Sequence, residues 1–286
     1  MKNYKTLLKL RSQSGLRGNE RISVCVRVKN EAGELPRFIA SLKKQKMFES
    51  VHLIFLDSGS SDGTIEILKN ISCDLYTIHS SEFSFGDSCN LMMSLSSSEL
   101  NVFFSGHVIL EEDYFFQKIF NLFEQIGEFS AYFRQIVNEY LGYSIYDSTF
   151  LKYYFPKFNG QSPILLKNGF HFSNAASVIS RKQWKEIGFE DVIASEDQIF
   201  AEEVSLKFGG VYYFPDLNVK HSHNESPESI TKRVKINVLA KHPNGVPIYK
   251  YYLSFFKLFL SLFINSFAFK DSLKFAKAHS EGYIIK

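Results

Sequence analysis

Short apolar runs separated by segments of helical period give the chain its clearest pattern. Ile22-Ser23-Val24-Cys25-Val26-Arg27-Val28 partly alternates and is rich in β-branched residues, which predicts a strand. Residues 51–56 form a second apolar run, and residues 75–78 and 101–104 predict third and fourth strands. After the first strand, Leu35, Phe38, Ile39 and Leu42 recur at helical spacing, with Pro36 tolerated in the first turn. Ile65, Ile67 and Leu68 open another helix behind the turn cluster 57–64. Further on, residues 174–179 predict a strand and 182–187 a short helix. Ser195 with Gln198 has the form of a capping box ahead of Ile199, Phe200, Val204 and Leu206. Gly209-Gly210 stops that helix, and Val211-Tyr212-Tyr213-Phe214 reads as a strand, followed by Pro215. Residues 129–168 are rich in Tyr and Phe and show no clear period.

Strands alternating with helices at this pitch imply βαβ units, hence an α/β protein with a mostly parallel central sheet. Ligands of such sheets sit beyond the carboxyl ends of the strands. The loops beginning at Lys29, Asp57 and Ser105 are therefore the candidate site. Neither G-x-G-x-x-G nor G-x-x-x-x-G-K-[ST] occurs, which removes the usual dinucleotide and P-loop fingerprints.

Composition adds three points. At 286 residues, 45% hydrophobic and 22% charged, the chain is long enough for one large domain or two small ones and is not a disordered class. Net charge is only +3, too little to call for nucleic acid. Yet residues 226–286 carry ten Lys+Arg against three Asp+Glu, so a basic tail follows a mildly acidic body. Cys25, Cys73 and Cys89 match no zinc spacing, and Cys25 reads as a core thiol. With no signal-like apolar stretch in residues 1–18, a reducing, cytoplasmic location is expected.

The tail has its own pattern. Residues 249–269 include nine aromatics, while Lys250, Ser254, Lys257, Ser261 and Asn265 recur every three or four residues. Lys270, Lys274 and Lys277 follow. This predicts an amphipathic helix with a wide aromatic face edged by lysines, suited to the inner face of a plasma membrane through residues 249–277. Packing on the body or on a second subunit is the plainer alternative. Lys257 and the polar stripe argue against a lone membrane span.

Several motifs fall where the sheet argument places them. Val26-Arg27-Val28-Lys29-Asn30-Glu31 ends the first strand, and Leu56-Asp57-Ser58-Gly59-Ser60-Ser61-Asp62-Gly63-Thr64 ends the second. Then come Phe85-Gly86-Asp87-Ser88-Cys89-Asn90, Asn174-Ala175-Ala176-Ser177 with Trp184, Ser195-Glu196-Asp197, and His221-Ser222-His223-Asn224. In this order they resemble family 2 glycosyltransferases over roughly residues 21–225, the Phe85 block being similar to the rhamnosyltransferase-like branch. The resemblance implies a GT-A (Rossmann-like) domain over 21–225, with 1–20 an N-terminal extension and 226–286 a helical tail. It also implies inverting transfer from a UDP- or dTDP-linked sugar to a hydroxyl of a bacterial surface glycan, lipid-linked or not.

Residue roles carried by the resemblance have plainer readings beside them. Asp57 would hydrogen-bond the nucleotide's base or ribose, with Asn30 and Glu31 bordering the pocket; Asp, Ser and Gly also simply favour turns. Arg27, Ser58, Gly59, Asp62, Gly86, Asn90 and Ser105-Gly106-His107 complete the donor side. Asn174 and Trp184 would lie on the acceptor side. Asp197, with Glu196 beside it, would be the general base, a role contributing about 10²–10⁴-fold; an acid in a helix's first turn is also favoured by the macrodipole.

One departure matters. The family usually carries D-x-D after the fourth strand, where a carboxylate holds Mg²⁺ or Mn²⁺ on the donor diphosphate. Here Ser105-Gly106-His107 stands instead. Three readings stay open. His107 with His221 or His223 holds Mn²⁺ or another imidazole-tolerant ion. His107 with Lys232 and Arg233 neutralises the diphosphate without metal. Or activity is lost, leaving a nucleotide-sugar-binding or scaffold protein. A nucleotidyltransferase would want a Gly-rich phosphate loop and paired metal carboxylates, and neither is evident. A homo-oligomer is left open.

Overall fold

A computed structural model describes residues 4–14, 20–160, 162–168 and 171–284; residues 1–3 and 15–19 of the expected N-terminal extension lie outside it. The chain forms two compact units. One is Met1–Gln135, Lys157–Asp191 and Glu196–His221; the other is Ile136–Pro156, Val192–Ser195 and Ser222–Lys286.

In chain order the elements begin with β1 (Leu8–Arg11), β2 (Ile22–Val28), α1 (Leu35–Lys43), β3 (Val51–Asp57), α2 (Thr64–Lys69) and β4 (Asp74–Thr77). Next come α3 (Phe85–Leu95), β5 (Leu100–Ser105), β6 (Ile109–Leu110), α4 (Phe115–Ile126) and β7 (Ala131–Ile136). They continue with α5 (Ile145–Tyr154), β8 (Ile164–Leu166), β9 (Ala176–Ser180), α6 (Arg181–Ile187), α7 (Glu196–Phe208) and β10 (Val211–Lys220). The last three are α8 (Pro227–Lys241), α9 (Tyr249–Ser266) and α10 (Phe269–Glu281).

All ten strands share one sheet in the first unit, ordered β1-β4-β3-β2-β5-β9-β7-β10-β6, with β8 on β10. Its centre, β4-β3-β2-β5, is parallel, and β5 meets β9 antiparallel. This is the expected α/β architecture of GT-A type, a mixed sheet parallel at its heart and flanked by helices. Every residue of β3 and all but Arg27 of β2 are buried, as befits strands covered on both faces. On α1, Leu35, Phe38, Ile39 and Leu42 are the buried stripe, and Phe38 meets Phe55 and Phe104 edge-on at 6.5 and 6.0 Å.

Four local features depart from the sequence reading. Leu8–Arg11 pairs antiparallel with β4, so part of the presumed extension is an edge strand. β10 runs through Pro215 for ten residues, its pairing with β8 ending at Tyr213 and that with β6 starting at Val219. Pro215 lies between those two pairings, where neither ladder needs its missing N–H. Ser195 has a left-handed φ of 64°, not the extended backbone of an N-cap. The tail is not one helix: Phe267, with φ 54°, ends α9, and α10 begins at Phe269.

The second unit is helical. α5, α8, α9 and α10 enclose Tyr146, Ile230, Val234, Leu262, Phe275 and Ala276. The Tyr146 hydroxyl and Nδ1 of His279 share a hydrogen bond of 2.8 Å, and burial pushes that imidazole down to about 4, so it stays neutral.

In the first unit, α3 starts hard against the 190 segment. A Cβ on Gly86 would stand 1.9 Å from the Glu190 carbonyl oxygen, and the obstacle is backbone. Gly86→Ala is therefore expected to cost about 1–3 kcal/mol through forced displacement. Gly33→Ala, whose new methyl has nothing within 4 Å, should stay within about 0.5 kcal/mol of the parent. Thermal unfolding of the pair checks this; equal melting temperatures would show the α3 contact to be slack.

Candidate active site

Register assembles the site. β2 lies between β3 and β5 with Val28 opposite Asp57 and Arg27 opposite Ser105, so three strand ends stop at one edge. The loops that leave them are tied together. Asn30, at φ 56°, donates its N–H to Ser60 Oγ (2.9 Å), and its Oδ1 accepts from Ser61 N–H (2.8 Å). Glu31 N–H donates to Thr64 Oγ1 (2.8 Å) and Ala32 N–H to Asp62 Oδ2 (3.0 Å). The Thr64 hydroxyl donates to Asp62 at 2.6 Å and, with the Ala32 and Thr64 N–H groups, holds that carboxyl below the usual range. Asp62 thus serves the loop itself. Ser58 binds back to the Val28 carbonyl through N–H and hydroxyl at 3.1 and 3.3 Å.

Asp57 closes β3 and is fully buried. Its Oδ2 accepts from Gly59 N–H (2.9 Å), Ser60 N–H (3.1 Å) and the Thr77 hydroxyl (3.3 Å). Its Oδ1 is buried too and accepts no hydrogen bond from any described residue. Gly59 makes the turn possible with φ 85°.

Gly106 crosses the end of β2 so closely that a Cβ would lie 2.9 Å from Val28 Cγ1 and 3.3 Å from Glu31 Cγ. That approach lets His107 Nδ1 reach Glu31 Oε1 at 2.9 Å. The His107 ring stacks on His221, centroids 5.1 Å apart and planes 24° apart, and His221 Nδ1 reaches Gln135 Oε1 at 2.8 Å. A carboxylate can only accept, so His107 Nδ1 carries the proton, and the amide oxygen sets His221 likewise. Each ring thus has an acceptor oxygen behind its Nδ1, the support that metal-bound histidines usually have. The donor set of imidazoles beside a carboxylate suits Mn²⁺ or another transition ion better than Mg²⁺. His223, Lys232 and Arg233 belong to the second unit, where Arg233 pairs with Glu225 at 2.7 Å.

The acids opening α7 differ in environment. Glu196 is 4% exposed and lies 3.7 Å from the Arg27 guanidinium, which also donates to the Phe85 carbonyl (3.1 Å). Burial opposes the charge on Arg27, but Cys89, Glu196 and Asp197 hold it above its ordinary value. Asp197 is half-buried and accepts from Asn174 N–H (3.1 Å) and Gln198 N–H (2.8 Å). Burial first, then the Glu196 charge, push Asp197 up to about 7 against those hydrogen bonds.

Two expected contacts are structural in this arrangement. Asn90 Oδ1 accepts from Trp184 Nε1 (2.8 Å) and Phe189 N–H (2.9 Å), while its Nδ2 donates to the Phe189 carbonyl (2.8 Å). Asn90 and Trp184 thus clasp α3 to α6. The Asn174 side chain turns inward to Cys89 Sγ and Ser177, and its backbone N–H is what meets Asp197. Sequence reasoning missed Thr77 and Gln135. Thr77 ends a strand already read, which is the one signal that could have found it; Gln135 sits in the unassigned aromatic stretch.

Comparison with known proteins follows the same lines. The family model for glycosyl transferase family 2 matches residues 23–188. The O-antigen chain rhamnosyltransferase RfbN of Salmonella typhimurium is 24% identical over 229 residues, 74% of this chain and 70% of that protein. WbaN of Salmonella anatum, also an O-antigen chain rhamnosyltransferase, is 25% identical over 194 residues, 63% and 59%. Among solved structures, S. aureus TarS superposes with a TM-score of 0.55 at 15% identity, over 77% of this chain and 40% of that one. The mannosyltransferase PcManGT of Pyrobaculum calidifontis, solved with GDP-Man and Mn²⁺, gives 0.54 at 13%, over 97% and 77%. The chain therefore spans less than two thirds of WbaN and two fifths of TarS; the structural likenesses speak for the fold.

The raised Asp197 value has a stability sign. An unfolded Asp titrates near ~3.9, so the folded chain holds this proton more tightly. The stabilisation is full below about pH 4 and is lost as pH rises through 7. Asp197→Asn, which has no proton to lose, is expected to exceed the parent's stability at pH 8 by on the order of 1–3 kcal/mol, with a narrower gap at pH 5. Melting curves at both pH values check it; an equal gap would place the cause elsewhere.

Proposed function

We propose a sugar transfer on a firm premise: the chain belongs to glycosyl transferase family 2. It moves a sugar from a UDP- or dTDP-linked donor to a hydroxyl of a bacterial surface glycan. The likeness to two O-antigen chain rhamnosyltransferases favours a glycan of that kind and a rhamnose-type sugar. The observation that carries the reading is the Asp57 carboxylate. One oxygen is fixed by the protein and the other, though buried, has no donor among the described residues, at the strand edge where a nucleotide would lie. A buried acceptor left unmatched costs about 1–3 kcal/mol, and a base N–H or ribose O–H would supply the missing hydrogen bond.

In the reaction, Asp197 takes the proton of the acceptor hydroxyl. That oxygen forms a bond to the anomeric carbon as the bond to the diphosphate oxygen breaks on the opposite face, inverting the configuration. A carboxylate titrating near neutrality is suited to this, being both ionised and basic at working pH. Glu196, held by Arg27, keeps Asp197 basic by its charge. His107 and His221, with His223 from the sequence pattern, are the residues that would hold a divalent ion, and the ion would neutralise charge on the leaving diphosphate. Peripheral attachment to the inner face of the plasma membrane goes with this reading, through the exposed face of α9 that carries Tyr252, Phe256, Leu260 and Ile264, while Phe255 and Phe259 of the expected aromatic face pack on the helical core; among the described residues no helix is long and apolar enough to cross a membrane.

Loss of D-x-D favours one rival, a binding or scaffold protein that retains donor affinity without turnover. Asp197→Asn separates the two. Turnover should fall at least about 10²-fold, with donor binding within twofold of the parent, and the parent's kcat/KM should decline as pH drops through about 7. Unchanged product formation would sink the assignment of the base, and no turnover by the parent would favour the scaffold.

Calorimetry over a panel of nucleotide sugars tests the donor pocket. Asp57→Asn should weaken the best donor about tenfold, equivalent to about 1.4 kcal/mol. Binding that needs Mn²⁺ and is lost in His107→Ala would support the histidine metal site. Binding indifferent to metal would hand the charge to protein cations.

A further inference from the structure

A groove of about 720 Å³ lies in the second unit, with walls from α5, α9 and the end of α10. Tyr153 and Tyr154 stand on one side, and Leu253, Leu260 and Ile264 on the other. Lys250 and Lys257, two helical turns apart, also line it, and among the described residues no Asp or Glu does. The same bias runs along the chain: residues 229–270 hold seven Lys and Arg and no acid. The size is that of a small-molecule site. Aromatic and aliphatic walls with two ammonium groups suit a hydrocarbon chain ending in an anion.

The groove is continuous with an exposed apolar face of α9. Tyr252, Phe256, Leu260 and Ile264 follow one another at helical spacing, and each is more than half exposed, as is Phe267 just past the helix end. Leu260 and Ile264 belong to both face and groove. Scattered apolar side chains need no explanation, but four on one face of an 18-residue helix do. A second copy of the chain is a poor cover: an isologous contact sets this face against itself, bringing lysines to lysines. A lipid surface answers the apolar face and the lysines together.

We infer that the groove takes one hydrocarbon chain of an anionic phospholipid, with Lys250 and Lys257 meeting its phosphate. α9 then lies in the membrane interface with one lipid drawn into the second unit. This rests on the peripheral attachment proposed above and adds the lipid class and the place where it is held.

The full chain is floated with vesicles of phosphatidylcholine alone or mixed with phosphatidylglycerol. Binding to the mixed vesicles should be at least about tenfold tighter, and Lys250→Gln with Lys257→Gln should remove that preference. Native mass spectrometry with phosphatidylglycerol should show one lipid per chain. Ser254→Trp and Ser261→Trp, each filling the groove from a half-exposed position while leaving the lysines and the outer face intact, should lose that lipid. Phe256→Ser, outside the groove, should weaken flotation and keep it. If both tryptophan variants fold, as their melting curves report, and still hold one lipid, the groove is wrong while membrane attachment stands. If the parent floats with neither vesicle, or dimerises and binds no lipid, attachment falls as well. Nucleotide-sugar binding, measured on the same variants, should not change, so failure here is distinct from failure of the transferase reading.

Discussion

In a parallel sheet a one-residue slip between neighbours turns every side chain to the opposite face, and β2 is locked against slipping on both sides. Its alternate residues are packed above and below, with Val24 and Val26 fully buried and Cys25 equally so on the other face. That lock sets Val28 beside Asp57 and Arg27 beside Ser105. The ties between the three loops follow from it: Asn30 to Ser60, Glu31 to Thr64, His107 to Glu31. Core packing of ordinary aliphatic residues thus fixes groups that are themselves neither aliphatic nor in the core.

The two carboxylates of interest are kept in opposite ways. Asp57 loses water but gains two backbone N–H groups and a hydroxyl on one oxygen. Asp197 gains two N–H groups, yet stands next to another acid, and the nearest compensating cation is paired with that neighbour. Environment, not residue type, therefore sets the two apart: three donors converge on one oxygen of Asp57, while burial and a neighbouring acid raise Asp197.

Much of this was legible in the chain. β2 to β5 show themselves because strands covered on both faces are nearly continuous apolar runs, and α1 because a one-sided helix repeats at its own period. The loop acids were found because their strands were. What escaped depended on partners distant in sequence. Nothing local says that His107 meets Glu31 or that Asn90 is occupied by Trp184 and Phe189. The aromatic stretch hid α5, although Ser144 and Asp147 form its capping box and carry a readable signature. β10 runs on past Pro215 because a proline ends a strand only when its N–H is needed. The break at Phe267 was unreadable, since a left-handed Phe has no sequence mark.

The turn after β3 has the outward look of an anion cradle, with glycines at φ 85° and 91° and N–H groups gathered in a few residues. Several of those N–H groups are already taken: Gly59 and Ser60 give theirs to Asp57, Ser61 gives its own to Asn30 and Thr64 gives its own to Asp62. The protein has filled its own nest with carboxylate and amide oxygens. Such a turn repels a phosphate and welcomes hydrogen-bond donors, so any diphosphate must find its counter-charge elsewhere. On the reading proposed above, the edge of the sheet would be divided by polarity, one part meeting neutral donor groups and the other answering negative charge.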